Sequence, residues 1–271
     1  MTPLVSIVIP AFDRPEMLAR AIESVFEQTF RDFELIVVDD ASELNSADFS
    51  QKIIWLRNDE NLGPAASRNR GAAAGAGKWI AFLDSDDRWF PEKLARQLEF
   101  HDANPELRIS QCEEIWIRNG KRARKPRHLA QPAGDIFEEC TKRCCISPSA
   151  VMIQRDLWEE TRGFDEFFRI CEDYELWMRI AMYERIGLIE GENLVAKYGG
   201  HADQLTGNVE GGIDRWRVLA LLSILETGGT NEAQFQALQS ALHEKSRIAA
   251  KRGTKWFSTN KQGQKRARPA V

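Results

Sequence analysis

An acidic cluster directly follows a short apolar run in this chain. Asp84, Asp86 and Asp87 stand within four consecutive residues and are separated only by Ser85. Carboxylates this close repel one another, and a bound cation is the usual relief. Hard ions such as Mg²⁺ take one or two carboxylates together with phosphate oxygens, so the spacing indicates a metal that holds a phosphate-bearing ligand. A lone Asp-x-Asp also occurs at ordinary strand-end turns, so it does not decide function by itself.

Apolar runs predict the strands that position the acidic residues. The four runs are residues 5–9, 33–38, 53–56 and 79–83. Helical spacing of apolar residues over 15–28 separates the first two, and strand, helix, strand with short connections is typical of a parallel α/β sheet. The second run leads into Asp39-Asp40 and the fourth into Asp84. Open α/β sheets bind ligands at this carboxyl edge, although an acidic pair there could also cap the next helix.

The rest of the chain predicts more helices and a helical C-terminal part. Predicted helices cover 64–76, 91–102, 155–161 and 172–181, and predicted strands cover 146–153 and 194–198. Asn119-Gly120 predicts a hairpin turn that leads into the basic loop 121–127, which is either solvated or a contact for an anionic acceptor. The pattern after residue 206 predicts a helical hairpin over 207–250. Residues 251–271 contain seven Lys or Arg and no acid, which predicts a disordered basic tail.

Composition narrows the classes of protein that remain. The chain has 271 residues, 43% of them hydrophobic, and a net charge of only −4, so it can bury a sizeable core and shows no global signal for nucleic acid. Its basic tail lacks interleaved aromatic residues beyond Trp256 and Phe257. No apolar run approaches the ~18 residues of a membrane span, so we expect a cytoplasmic protein. Peripheral contact of the basic tail with the inner face of an anionic membrane is the alternative.

Cysteine usage favours free thiols. The five cysteines lack the density and spacing of a disulfide framework. Cys140, Cys144 and Cys145, with His128 upstream, do not have the C-x₂-C spacing of a zinc site. We therefore expect reduced, mostly buried cysteines.

Several short motifs occur in order along the chain. They lie at residues 5–12, 28–30, 33–42, 61–63, 67–69, 82–87, 163–166, 172–177 and 198–206. Together they resemble the family 2 glycosyltransferases of the GT-A fold, over residues 4 to about 206. The resemblance implies an α/β domain at 1–206, with a Rossmann-like, mixed but mainly parallel sheet flanked by helices.

The resemblance also implies a binding site for a nucleotide-activated sugar. The implied donor-site residues are Pro10, Ala11, Phe12, Arg14, Asp39, Asp40, Arg68, Asp84, Ser85 and Asp86. In this reading Asp40 accepts a hydrogen bond from the base, Asp84 lies near the ribose and the sugar, and Asp86 is the direct ligand of Mg²⁺ or Mn²⁺. Phe12 replaces the usual tyrosine, so it can stack on a base but cannot hydrogen-bond to it. UDP is the favoured nucleotide, with dTDP and GDP as alternatives.

Three residues carry further expectations. Arg68 matches an arginine near the nucleotide, against the alternative of a surface helix arginine. His201 either completes the metal site or touches the diphosphate, or it has no role, and Gly199 stands where the family often has arginine. Asp173 is the implied general base for the acceptor hydroxyl, whereas Glu172-Asp173 could otherwise only compensate the helix dipole.

The resulting functional hypothesis is an inverting, metal-dependent glycosyltransferase in polysaccharide or glycoconjugate synthesis. It would move a sugar from a nucleotide-diphosphate donor to a hydroxyl acceptor. The alternative is a catalytically silent nucleotide-sugar or carbohydrate-binding protein on the same fold. The identities of the sugar and the acceptor and the oligomeric state stay open.

Overall fold

The computed structural model has one mixed sheet with helices on both faces. It describes residues 2–44, 46–49, 52–126, 129–200 and 212–264, with the backbone alone from 252 to 264. Its strands are β1 (Val5–Ala11), β2 (Phe33–Asp39), β3 (Ile53–Arg57), β4 (Trp79–Phe82), β5 (Arg88–Trp89), β6 (Ile109–Arg118), β7 (Lys121–Ala123), β8 (Val151–Gln154) and β9 (Gly187–Gly199). Its helices are α1 (Pro15–Phe26), α2 (Pro64–Ala74), α3 (Lys93–Ala103), α4 (Phe137–Lys142), α5 (Arg155–Glu160), α6 (Glu172–Ala181), α7 (Asp214–Thr227) and α8 (Glu232–Gln264).

The strand order explains why the acidic residues meet. The sheet runs β3-β2-β1-β4-β8-β6-β9-β5, with β7 paired to β6. The first four strands are parallel, β8 is antiparallel to β4 and β6, and β9 is parallel to β6. The carboxyl ends of β2 and β4 therefore lie at the same edge, on either side of β1. The predicted mixed, mainly parallel α/β fold is confirmed.

Two apolar layers cover the sheet. Successive residues of a strand point to opposite faces, so Ile7 packs with α1 and α3 while Val8 packs with the layer that includes α2 and α6. Both faces of β1 are buried, which explains why it is apolar except for Ser6. Alternate residues of β1 thus contribute to both halves of the core.

Helix α2 lies unusually close to the sheet. It begins at Pro64, directly after Gly63, whose φ of 91° is a conformation that few other residues adopt. A Cβ added at Gly71 would overlap Cγ1 of Val8. The glycine therefore permits the close packing that carries Arg68 to the edge of the sheet.

Several elements differ from the sequence prediction. The predicted strand 146–153 is a 3₁₀ turn at Pro148–Ala150 followed by β8, and helix α4 and strand β5 had no clear sequence signal. Helix α8 continues to Gln264, whereas a disordered tail was predicted from 251. Lys, Arg and Gln are good helix formers, so the basic composition does not stop a helix. Residues 265–271 lie outside the described part. None of the described helices is long and apolar enough to cross a membrane.

Candidate active site

Three carboxylates form a cluster at the end of β4. Ligating oxygens of Asp84, Asp86 and Asp87 all lie within 4.8 Å of one another. A tight turn holds them together, since the Asp87 N–H donates to the Asp84 carbonyl at 3.0 Å. Ser149 closes the arrangement because its hydroxyl donates to Asp87 Oδ2 at 2.6 Å and accepts from the Asp84 N–H at 3.1 Å. The predicted acidic cluster is therefore a compact group of oxygen ligands.

The electrostatics of this cluster favour a cation. Burial, together with the charges of Asp86 and Asp84, raises the pKa of Asp87 to about 7 although Lys197 opposes the change. Burial also acts to raise the pKa of Asp84, but Arg68 and Lys197 outweigh it and hold that pKa below its usual range. The negative charges of Asp84 and Asp86 thus make it costly to ionise Asp87, and a bound cation would remove that cost. All three side chains offer only oxygen ligands. This donor set fits a hard divalent cation such as Mg²⁺ or Mn²⁺.

Strand β9 places a lysine at the cluster that the sequence had not indicated. The Lys197 Nζ lies 3.6 Å from Asp87 Oδ2, 3.9 Å from Asp84 Oδ2 and 2.7 Å from Ser147 Oγ. Burial lowers the pKa of Lys197, but Asp87 and Asp84 more than offset this and keep it above its usual range. The lysine thus stays charged beside the acidic cluster, where it can face a phosphate.

Two arginines, one just before α1 and one within it, contact Asp86. Arg14 Nη1 lies 3.5 Å from Asp86 Oδ2, and its contact with a donor stays a prediction. Arg20, which was not predicted, donates to the Asp86 carbonyl at 2.6 Å and lies over the ring of Tyr198, 3.8 Å from its centroid. Asp86 is therefore held from both its side chain and its backbone.

A buried arginine connects this cluster to the second acidic pair. Arg68 donates to Asp84 Oδ1 at 2.6 Å and to Glu172 Oε1 at 2.8 Å, and it is only 4% exposed. Burial lowers its pKa, but the two carboxylates outweigh that effect and raise it above its usual range. The alternative of a surface helix arginine is wrong. Arg68 of α2 instead joins Asp84, which follows β4, to Glu172 of α6 in one network.

The predicted base lies in the first turn of α6. Cys171, with a φ of 67°, turns the chain into the helix. Asp173 Oδ1 accepts from the N–H of Tyr174 at 2.7 Å, and Oδ2 accepts from the Cys144 thiol at 3.2 Å. The Asp173 carboxylate is thus oriented by a cysteine that the sequence had not assigned to the site.

Glu172, the neighbour of Asp173, faces inward. Burial and the charge of Asp173 raise the pKa of Glu172 to about 7, although Arg68 opposes them. The two adjacent acids therefore occupy different environments. Glu172 contacts Arg68, whereas Asp173 is partly exposed.

The acidic pair after β2 is turned toward the protein. Asp39 has no exposed side-chain surface and pairs with Arg57 at 2.5 Å, and its predicted contact with a donor stays a prediction. Asp40 accepts hydrogen bonds from Asn58 at 2.7 Å and from the backbone N–H groups of Leu62 and Gly63. It thereby fixes the loop that leads into α2. Its contact with a nucleotide base stays a prediction.

The other residues predicted for the donor site differ in how exposed they are to solvent. Phe12 is 44% exposed after β1, whereas Ala11 and Ser85 are buried and Pro10 is half-buried, and the contacts of all four with a donor stay predictions. His201 lies outside the described residues, so its metal contact stays a prediction. All five cysteines are free thiols, and four of them are buried.

Known proteins share this sequence pattern. The family model described as Glycosyl transferase family 2 matches residues 6–161. The chain belongs to glycosyl transferase family 2. Its relatives include the Escherichia coli protein WfgD, named UDP-Glc:alpha-D-GlcNAc-diphosphoundecaprenol beta-1,3-glucosyltransferase, which is 32% identical over 200 residues covering 72% of this chain and 76% of WfgD.

A second relative is considerably longer. An uncharacterised glycosyltransferase of Rickettsia felis is 36% identical over 193 residues, covering 69% of this chain. The same segment covers only 32% of the Rickettsia felis protein. The chain thus spans about a third of that relative's length.

Solved structures show the same fold. S. aureus TarS 1-349 in complex with UDP-GlcNAc has a TM-score of 0.70 and 19% identity, over 89% of this chain and 72% of TarS 1-349. The mannosyltransferase PcManGT from Pyrobaculum calidifontis, in complex with GDP-Man and Mn²⁺, has a TM-score of 0.65 and 16% identity, over 100% of this chain and 77% of the other. The family 2 resemblance inferred from the motifs is confirmed.

Proposed function

We propose that this chain is an inverting, divalent-metal-dependent glycosyltransferase that moves a sugar from a nucleotide-diphosphate donor to a saccharide hydroxyl. The observation that carries the proposal is the buried Arg68, which bridges the acidic cluster at Asp84 and the Glu172-Asp173 pair. Donor and acceptor groups must be held in line for a single displacement. A rigid ion-paired link between the two halves of the site supports such a reaction.

The acidic cluster would hold the metal, with Asp86 as a direct ligand and Asp84 and Asp87 beside it. When bound, the metal neutralises the charge that develops on the departing diphosphate. Lys197 and Arg14 lie against the same carboxylates and are positioned to contact the phosphates. Phe12 offers its ring to the nucleotide base.

Asp173 would act as the general base. The acceptor hydroxyl oxygen forms a bond to the anomeric carbon, the bond from that carbon to the diphosphate oxygen breaks, and the hydroxyl proton passes to the Asp173 carboxylate. Attack opposite the leaving group inverts the configuration. The Cys144 thiol holds one carboxylate oxygen of Asp173 in place.

UDP is the favoured nucleotide. WfgD is named for UDP-Glc, and TarS was solved with UDP-GlcNAc, whereas PcManGT was solved with GDP-Man. The name of WfgD also suggests a lipid-diphosphate-linked N-acetylglucosamine as acceptor. We propose the same acceptor class here, with the basic C-terminal segment as a peripheral membrane contact.

Thermal unfolding with UDP, GDP or dTDP, each with and without Mn²⁺, tests the donor site. We expect UDP with Mn²⁺ to raise the melting temperature by about 4–8 °C at 100 times its dissociation constant. Asp86→Ala should remove the part of this melting-temperature rise that depends on Mn²⁺. Asp102→Ala, on the exposed side of α3, should leave the rise unchanged. If no nucleotide stabilises the native chain, the donor assignment is wrong.

A further inference from the structure

One cavity in the described part of the chain is lined by residues outside the acidic cluster and its partners. It has a volume of about 520 Å³ and lies along the β6–β7 hairpin and β9. The polar and aromatic side chains that line it include Glu114, Trp116, Arg122, Arg124, Lys125 and Asn193. Its size falls within the range of about 300–1,000 Å³ for small-molecule sites. None of these residues has a role in the mechanism proposed above.

Glu114 provides a buried acceptor for a ligand. The residue is only 9% exposed, and its Oε1 accepts from Trp116 Nε1 at 2.9 Å and from Lys125 Nζ at 3.3 Å. Its Oε2 is buried and has no hydrogen-bond partner among the described residues. A buried carboxylate oxygen without a donor is costly, so the position favours a ligand that brings a hydroxyl group.

Trp116 provides a fixed aromatic surface in the same cavity. The hydrogen bond from its indole N–H to Glu114 sets the plane of the ring. Arg118 and Lys125 lie 5.6 and 5.7 Å from the ring centroid, which further fixes the side chain. An aromatic face beside a hydroxyl acceptor matches a sugar ring, which has an apolar C–H face and a polar hydroxyl rim.

The strand register places this cavity next to the reaction centre. Trp116 of β6 is the direct partner of Lys197 in the parallel β6–β9 pair, so the two side chains leave the same face of the sheet. The Lys197 ammonium reaches the acidic cluster, and the charge of Glu114 also acts on Lys197. The wall of the cavity that Trp116 forms is therefore adjacent to Lys197, which contacts the proposed donor site.

We propose that this cavity binds the acceptor saccharide, with one ring face on Trp116 and a hydroxyl donating to Glu114 Oε2. That the bound saccharide is the acceptor rests on the proposed glycosyltransferase function. That the cavity binds a saccharide does not depend on it. Asn193 and the exposed side chains of Arg122 and Arg124 lie around the same space and supply further polar contacts.

Saturation-transfer NMR on the full chain tests the proposal without turnover, with UDP and Mg²⁺ present because paramagnetic Mn²⁺ would broaden the probe signals. The probes are glucose, galactose, mannose and N-acetylglucosamine, each as the methyl glycoside and as the 1-phosphate. We expect Trp116→Ala to weaken binding of the best probe about 10-fold, and Glu114→Gln about 5-fold through loss of a charge-assisted hydrogen bond. Trp116→Phe should restore most of the affinity.

The matched control is a substitution of a tryptophan near the opposite edge of the sheet. Trp55 of β3 is also half-buried, so Trp55→Ala should leave saccharide binding unchanged. Thermal unfolding checks that each variant is folded, and Glu114→Gln, which preserves side-chain shape, keeps the test valid if Trp116→Ala does not fold.

The outcomes separate this proposal from the proposed function. If the native chain binds no probe, or both cavity variants bind as the native chain does, the saccharide site is wrong, and stabilisation by UDP would still support the donor site. If saccharide binding is present and lost in the variants while no nucleotide stabilises the chain, the cavity assignment stands and the donor assignment fails.

Discussion

At the scale of single residues, partners decide what each acid can do. Asp173 and Glu172 are neighbours, yet Glu172 contacts the buried Arg68 guanidinium while Asp173 receives the weak thiol donor of Cys144. Glu172 is buried and already bound to Arg68, so an acceptor hydroxyl cannot reach it, whereas the partly exposed Asp173 is accessible. This difference favours Asp173 as the base and leaves Glu172 to hold Arg68 in place.

Asp173→Asn should preserve nucleotide binding and abolish transfer. Asparagine has nearly the same shape but cannot take the hydroxyl proton, so we expect turnover to fall by about 10²–10⁴-fold. The measurement is sugar transfer from UDP-glucose or UDP-N-acetylglucosamine to an N-acetylglucosaminyl-diphospho-lipid, together with stabilisation by UDP and Mn²⁺.

The exposed Asp156 of α5 provides a matched control for this variant, since Asp156→Asn removes a carboxylate far from the network. Turnover by Asp173→Asn within a few-fold of the native rate would rule out Asp173 as the base. An inactive native chain that still binds nucleotide and saccharide would instead favour the binding-protein alternative.

At the scale of elements, helix α2 is the part that positions the connecting arginine. It packs against β1 and β2 through Gly71, while Arg68 points from the same helix into the site. The hydrogen bonds from Asn58 and from the Gly63 N–H to Asp40 fix the entry to the helix. The position of Arg68 therefore depends on the depth at which α2 lies on the sheet.

Gly71→Ala should test this dependence. The added methyl group overlaps Val8, so the helix must shift outward at a cost of about 1–3 kcal/mol of unfolding free energy. Ala73→Ser, at an exposed position of the same helix, should change stability by less than about 0.5 kcal/mol. Urea denaturation measures both. Equal stabilities of Gly71→Ala and the native chain would show that the packing tolerates a wider spacing.

At the scale of the whole molecule, an unusual lysine lies inside the apolar layer beneath the site. Lys93 of α3 has no exposed surface, its Nζ donates to the Val151 carbonyl at 3.3 Å, and it lies over the ring of Trp89. Burial lowers the pKa of Lys93 to about 7, with only slight opposition from Cys112. The charged form therefore opposes folding.

This burial predicts a specific pH dependence of stability. Between about pH 7 and the ordinary lysine pKa near 10.4, the unfolded chain binds more protons than the folded one at this position. The contribution of Lys93 to the unfolding free energy thus rises with pH across that window, and its full penalty is present below pH 7. Lys93→Met should remove the penalty and stabilise the chain by roughly 1–3 kcal/mol at pH 6.

The gain should shrink as the pH rises toward 10.4, because the folded amine is neutral above about pH 7 and deprotonating the unfolded chain's lysine costs less as the pH nears its ordinary pKa. Urea denaturation at pH 6 and pH 9.5 measures the difference, with Lys78→Met as an exposed control. A gain for Lys93→Met that does not change with pH would contradict a titrating lysine.

Local pattern predicted much of the architecture. The four N-terminal strands, the Asn119-Gly120 hairpin and the helix at Glu172–Ala181 agree with the structure because apolar periodicity and turn chemistry act over a few residues. The 3₁₀ turn at Pro148–Ala150 was missed because the predicted strand extended the apolar residues of β8 back through Ser147 and Pro148, although proline is uncommon inside a sheet. The Asp39–Arg57 ion pair had no sequence signal, because its two partners lie on neighbouring strands.

The sequence by itself determined the parallel α/β class, the family resemblance and the acidic cluster at the end of β4, all of which follow from residue type, order and short spacing. Only the tertiary structure decided that Arg68 joins Asp84 to Glu172, that Lys197 faces the same acids, and that Cys144 orients Asp173. These partners come from distant parts of the chain. Their contacts depend on how helices and strands pack together, and periodicity along one segment carries no information about that packing.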